Sequence, residues 1–184
     1  MKFEPLTRDN WEDFLEVMGP HGGDNGCFCM WYRQTGRQFE AGHGETNMLA
    51  MKAIVDSGEV PGLIGYRDQA PVGWVQVGPR DWYGRLQRSR VTKPFDDRPA
   101  WAVTCFVVPK EHRGTGVASE LLRGAISYAR EQGAEVVEGY PVEPREEKMP
   151  DFWAWMGFRS MFEACGFVEV ARRSETRPFM RLEL

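Results

Sequence analysis

The stretch Val107-Val108-Pro109-Lys110-Glu111-His112-Arg113-Gly114-Thr115-Gly116-Val117-Ala118 opens an amphipathic run that ends at Gln132, and it constrains the chain more than any other segment. A run of β-formers stops at a proline, a short charged turn follows, and two glycines introduce a helical period. The order is strand, glycine-rich loop, helix. Glycines let a backbone come close to an anion. The N–H groups of the first helical turn have no intrahelical partner and point toward it, and the helix dipole favours negative charge there. Arg113 adds a fixed cation at the mouth. The segment therefore predicts a site for a phosphorylated ligand.

The flanking sequence supplies the frame. Phe3 to Leu6 reads as a short strand, and Thr7, Asp9 or Asn10 caps a helix through Trp11, Phe14, Leu15 and Met18 that Gly19-Pro20 ends. Residues 24 to 44 read as irregular and aromatic, with Cys27-Phe28-Cys29-Met30-Trp31-Tyr32 at their centre. Glu45 to Asp56 carries an apolar helical stripe. Gly62–Arg67 and Pro71–Val77 form a hairpin across Asp68-Gln69-Ala70, with Trp74 and Gln76 on one face and Val75 and Val77 on the other. Asp81 to Arg90 is a short helix or loop. Trp101–Val108 and Ala134–Tyr140 are strands on either side of the helix Gly116–Gln132, which Gly133 ends. Pro141 to Phe158 reads as an insertion, charged at first and then aromatic with Phe152, Trp153 and Trp155. A short helix, Ser160 to Cys165, precedes two closing strands, Phe167–Arg173 and Phe179–Leu184. The sum is one domain over residues 1–184. It is a mixed α/β (α+β) fold, with a mostly antiparallel sheet of six to seven strands, helices on both faces and a central β-α-β unit.

Composition narrows the function. With 184 residues, 42% hydrophobic and 27% charged, the chain has enough apolar content for one core. A net charge of −4 leaves no electrostatic footprint for nucleic acid, and Arg80, Arg85, Arg88 and Arg90 are offset by Asp81, Asp96 and Asp97 nearby. The segment Met1-Lys2-Phe3-Glu4-Pro5 lacks the apolar stretch of a signal peptide, and no run reaches membrane-spanning length. The four cysteines, Cys27, Cys29, Cys105 and Cys165, fit reduced thiols and a cytoplasmic protein. Cys27 and Cys29 with His21 and His43 raise the question of zinc, but the spacing is not that of a structural site, and no metal is expected.

Several loop chemistries compete. A dinucleotide fingerprint needs a third glycine where Ser119 stands, on the first strand–helix unit of a parallel sheet. A nucleotide-triphosphate loop needs Gly-Lys-Ser/Thr at its end, and after Arg113 the one lysine is Lys148. A helix start with glycines for backbone reasons alone would leave Arg113 and the β-α-β setting unexplained. Arg113-Gly114-Thr115-Gly116-Val117-Ala118 resembles the Arg/Gln-x-x-Gly-x-Gly/Ala signature of the GNAT N-acetyltransferases. Phe106-Val107-Val108 resembles that family's acyl-CoA strand, and Ser160 to Phe167 its short helix and Gly-Phe. The order of elements resembles the family's fold over almost the whole chain.

The resemblance implies acetyl-CoA as co-substrate, with its pyrophosphate on the backbone of Arg113, Gly114, Thr115, Gly116, Val117 and Ala118. The pantetheine would run beside Phe106, Val107 and Val108, between two splayed parallel strands. It implies direct attack by an amine, with a backbone N–H near Val107 or Val108 as donor to the thioester oxygen. Related enzymes often carry a tyrosine acid four residues before the Gly-Phe glycine, and here that position is Phe162. Tyr140 is the substitute acid, and Glu138, on the same strand face, the base. Cys29, Trp31, Trp74 and Tyr83 are candidate acceptor-pocket residues, with Trp153 and Trp155. The expected acceptor is a small amine of apolar or aromatic character. A protein or peptide amine, a non-catalytic acyl-CoA sensor and assembly as a homodimer stay open.

Overall fold

The computed structural model describes residues 1–144 and 154–184, so Lys148, Phe152 and Trp153 lie outside the described residues. In chain order the elements are β1 (Lys2–Pro5), α1 (Trp11–Met18), α2 (Gly36–Ala41), α3 (Glu45–Asp56), β2 (Gly62–Arg67), β3 (Ala70–Pro79), α4 (Gly84–Arg88) and β4 (Trp101–Val107). They continue with α5 (Val117–Glu131), β5 (Val136–Gly139), α6 (Arg159–Glu163), β6 (Val168–Arg172) and β7 (Pro178–Glu183). One seven-stranded sheet runs β1-β2-β3-β4-β5-β7-β6. Every neighbouring pair is antiparallel except β4 and β5, the two strands that α5 connects.

Local chemistry explains the elements. The β2–β3 hairpin turns on Asp68 and Gln69, both with positive φ (49° and 68°), the geometry of a two-residue turn that follows the strand twist. In β3 the alternation sends Trp74 and Gln76 to one layer and Val75 and Val77 to the other. Two apolar layers result. Val75, Val77, Val103 and Phe106 pack with Leu121, Leu122 and Ala125 of α5 and Phe162 of α6. Trp74 and Cys105 pack with Trp11 and Phe14 of α1 and Met51 and Val55 of α3 on the opposite face. A β-carbon on Gly139 would collide with the Phe162 ring, so α6 lies directly on the end of β5.

Residues 24–44 differ from the irregular segment expected there. Thr35 caps α2 through a reciprocal box, in which its hydroxyl accepts from the Gln38 N–H and the Gln38 side chain accepts from the Thr35 N–H. Six residues of helix with one buried side chain, Phe39, leave little apolar periodicity to read. The other shifts are at boundaries. β5 is shorter than Ala134–Tyr140, and Gly116 caps α5 from outside rather than starting it.

Candidate functional site

At the start of α5, Gly116 is the N-cap in the left-handed region with φ 83°, and Gly114 has φ 72°. A β-carbon on either would meet no atom within 4 Å, so both glycines face open space. The loop is fixed from behind. Arg113 donates through Nε to the Val108 carbonyl (3.0 Å). The Thr115 hydroxyl donates to the His112 carbonyl (2.7 Å). Arg67 reaches the Thr115 hydroxyl and carbonyl, both at 3.2 Å, and binds Glu120. Thr115 thus holds the loop in shape while the backbone around it presents the open N–H groups of the helix start.

The sheet divides beside this loop. β4 pairs with β5 only over Trp101–Val103 and continues to Val107, whereas β5 ends at Gly139. Past the split the Phe106 N–H donates to the Trp155 carbonyl (2.7 Å). A cavity of about 1170 Å³ opens here. Arg113, Gly114, Gly116, Val117, Ala118 and Ser119 border it at the helix start, and Phe106, Val107 and Val108 along the strand. Gly157, Phe158, Ser160 and Met161 form the opposite wall. The far end is Cys27, Cys29, Trp31, Phe39, His43, Cys105 and Trp155. A backbone cradle, an open strand edge and an apolar end therefore share one space.

The proposed acid and base are placed elsewhere. Glu138 and Tyr140 do come together, with the phenol donating to Glu138 Oε2 at 3.1 Å, but neither borders the cavity. Glu138 is fully buried and takes Arg80 Nη1 at 3.1 Å and Arg181 Nη2 at 2.7 Å, and Arg181 also pairs with Asp96 at 2.6 Å. Burial, then the Glu138 charge and the bond to it, hold the Tyr140 phenol well above its usual value. Two cations and a phenol occupy the Glu138 carboxylate, which leaves it an ion-pair anchor. Period-two alternation put the two residues on one face, but it carried no information about the arginines arriving from β3's end and β7.

Of the acceptor candidates, Cys29, Trp31 and Trp155 line the cavity. Trp74 and Tyr83 do not. Both are fully buried, Trp74 edge-on to Phe14 at 4.9 Å and Tyr83 in a separate cluster with Leu86 and Tyr140. Phe162 is core as well, edge-on to Phe106 and Phe167. Trp31 and Trp155 meet edge to face at 6.4 Å, and the Arg85 guanidinium lies 3.7 Å from the Trp31 ring centre. The thiols of Cys29 and Cys105 touch at 3.3 Å. Cys105 is held well above the usual thiol range by the Cys29 contact and by burial, and burial with the Cys29 charge pushes Cys27 up to about 12. Neither is a ready nucleophile. Among the described residues no group of three or more His, Cys, Asp or Glu side chains is arranged to hold a metal ion, and no helix is long and apolar enough to cross a membrane.

His43, which the sequence singles out only as an unfulfilled zinc candidate, and the loop Gly22–Asn25, which it leaves without a role, both line the cavity. Glycine density at 19–26 was the one available signal. Residues 28–158 match the model of the acetyltransferase (GNAT) family. A GNAT-family acetyltransferase structure from Listeria monocytogenes 4b F2365 aligns with a TM-score of 0.61 at 11% identity, covering 100% of this chain and 94% of that one. The PaiA N-acetyltransferase of Thermoplasma acidophilum in complex with coenzyme A aligns at 0.54 and 12%, covering 100% and 98%. The NatC complex bound to Gag peptide and CoA contains a chain that aligns at 0.57 and 12%, covering 100% and 98%. No curated protein matches the chain.

Proposed function

Since the chain belongs to the GNAT acetyltransferase family, we propose that its cavity takes acetyl-CoA and passes the acetyl group to the primary amine of a small apolar or aromatic molecule. Acetyl-CoA supplies an activated carbonyl carbon and a thiolate leaving group. The chain supplies binding, orientation and charge. The helix-start N–H groups from Gly114 to Ala118 and the Arg113 guanidinium suit a pyrophosphate. The Phe106 N–H faces the open side of β4, and by the two-residue alternation the Val108 N–H faces the same way, which makes it the donor for negative charge developing on the thioester oxygen. Trp31, Phe39 and Trp155 offer the acceptor an apolar wall and exclude water from the reacting atoms.

The observation that carries this reading is the continuity of cradle, open strand edge and aromatic end in one cavity. The test is release of coenzyme thiol from acetyl-CoA with 2-phenylethylamine, tyramine, lysine and a peptide with a free N-terminus. Turnover on the aromatic amines supports a small-molecule acceptor, and turnover on the peptide alone overturns that choice. A second reading, acyl-CoA binding without transfer, draws on Phe162 and on the lack of any tyrosine among the described lining residues. Tight coenzyme binding with no turnover on any amine would favour it.

A further inference from the structure

On that reading the acceptor must shed a proton before it attacks, because an ammonium nitrogen has no lone pair. Glu138 and Tyr140 are committed to the core, so among the described residues the candidates for a base are those of the cavity wall. His112 stands in the turn next to the cradle, at the phosphate end. Asp24 and His43 border the other side, and they differ in order. No hydrogen bond holds the Asp24 side chain among the described residues, whereas the His43 ring is fixed.

The fixing is specific. His43 Nδ1 lies 2.7 Å from the Asn25 carbonyl oxygen. A carbonyl only accepts, so in the neutral ring Nδ1 carries the proton and Nε2 keeps its lone pair. A backbone clasp sets that contact. The Gly44 N–H donates to the Gly26 carbonyl (3.0 Å), and the fully buried Asn47 donates to the same oxygen through Nδ2 (3.1 Å). The two backbones approach so closely that a β-carbon on Gly26 would collide with Gly44, and Asn25 takes the left-handed conformation (φ 46°). The imidazole stands edge-on to Phe39 at 4.7 Å, and Phe39 edge-on to Trp31 at 5.0 Å. The same loop reaches β4, since a β-carbon on Gly23 would lie 3.5 Å from Val107 Cγ2. The ring is therefore held against the aromatic end of the cavity by a loop that itself reaches β4 at Gly23.

We propose that His43 is the catalytic base. Its Nε2 takes one proton from the acceptor ammonium, and the freed lone pair attacks the thioester carbonyl carbon. The C–N bond forms and the C–S bond breaks, its electron pair leaving with sulfur. The second nitrogen proton passes to that sulfur, giving amide and coenzyme thiol, and the exposed His43 ring returns its proton to solvent. The charged and titratable groups on the surrounding elements are His21, Asp24 and Cys27 on the loop, Arg37 and Glu40 on α2, and Glu45, Lys52 and Asp56 on α3.

This inference rests on the acetyl-transfer reading, and one experiment separates the two. Coenzyme thiol release from acetyl-CoA with 2-phenylethylamine is followed from pH 6 to 10 in the wild type, His43→Gln and His43→Ala, with coenzyme A affinity measured calorimetrically. His43→Gln should lower kcat/KM at neutral pH about 100-fold, the scale of general-base catalysis, with coenzyme affinity unchanged. The deficit should shrink as pH rises and solution supplies the free amine, and added imidazole should restore His43→Ala. Variants that bind coenzyme A and match the wild type across the pH range would overturn the assignment, as would a uniform loss that imidazole does not rescue. Absence of turnover in the wild type on every amine tried would instead overturn the transfer reading, and this inference with it.

Discussion

Gly116 shows how one residue can decide whether the proposed coenzyme cradle is open. Its φ of 83° disfavours any side chain, and a β-carbon there would enter open space, which the proposed phosphate cradle requires to stay open. Gly116→Val should cost about 1–2 kcal/mol in backbone strain and lower coenzyme A affinity at least about tenfold, read by calorimetry on protein whose circular dichroism is unchanged. Wild-type affinity in that variant would remove the cradle assignment. Tyr140 makes the converse case. Its hydroxyl has one partner, Glu138, and no access to the cavity. Tyr140→Phe should cost about 1–2 kcal/mol of stability, the size of a buried hydrogen bond to a charged group, and leave kcat on saturating substrates within about twofold. A tenfold fall in kcat with the fold intact would return the phenol to the reaction.

Among the elements, β5 is the one that tertiary packing redefines. Its Glu138 bridges Arg80, just past β3, to Arg181 on β7, so three parts of the sheet are tied at the base of the split. Glu138→Gln leaves Arg80 with no carboxylate among the described residues and should cost about 3–5 kcal/mol, as for other broken buried ion pairs. A shift in urea midpoint measures it, and a loss below about 1 kcal/mol would mean the charges are better solvated than their burial indicates. Asp96 closes the network from the surface. The hydrogen bond from Arg181 lowers its carboxyl to about 2, below the usual value of about 4. The sign follows from the folded value lying below the unfolded one. Its stabilisation is complete above about pH 4 and is lost as pH falls toward 2, screened because the side chain is one-third exposed.

For the whole molecule, a ligand spanning cradle, strand edge and aromatic end would add a further tie between α5, β4 and the loop Gly22–Trp31. Coenzyme A at 100 times its dissociation constant should stabilise the chain by about 2.7 kcal/mol, raising Tm by about 5–10 °C for a domain of this size. AMP at the same concentration, lacking the pantetheine arm, should shift it less. A Tm indifferent to millimolar coenzyme A would argue against the cavity as the site. Much of this was legible in the chain itself. The Arg113–Ala118 loop, the β-α-β unit around α5 and the alternation of Trp74 and Val75 follow from local steric and hydrophobic rules, which are written in residue order. What those rules do not encode is which side chains from distant segments share a space. Glu138 and Tyr140 sit on one strand face in either view, but Arg80 and Arg181, 58 and 43 residues away, turn that face into a buried ion pair. Trp74 and Tyr83 look like Trp31 in composition, and only burial separates core from cavity wall. His43 gained its place because Gly26 and Gly44 touch. The sequence by itself determined the glycine loop at the start of α5, because backbone geometry within twelve residues sets it. The tertiary structure decided which residues line the aromatic end of the cavity, because that depends on long-range contacts among residues whose types are common in any core.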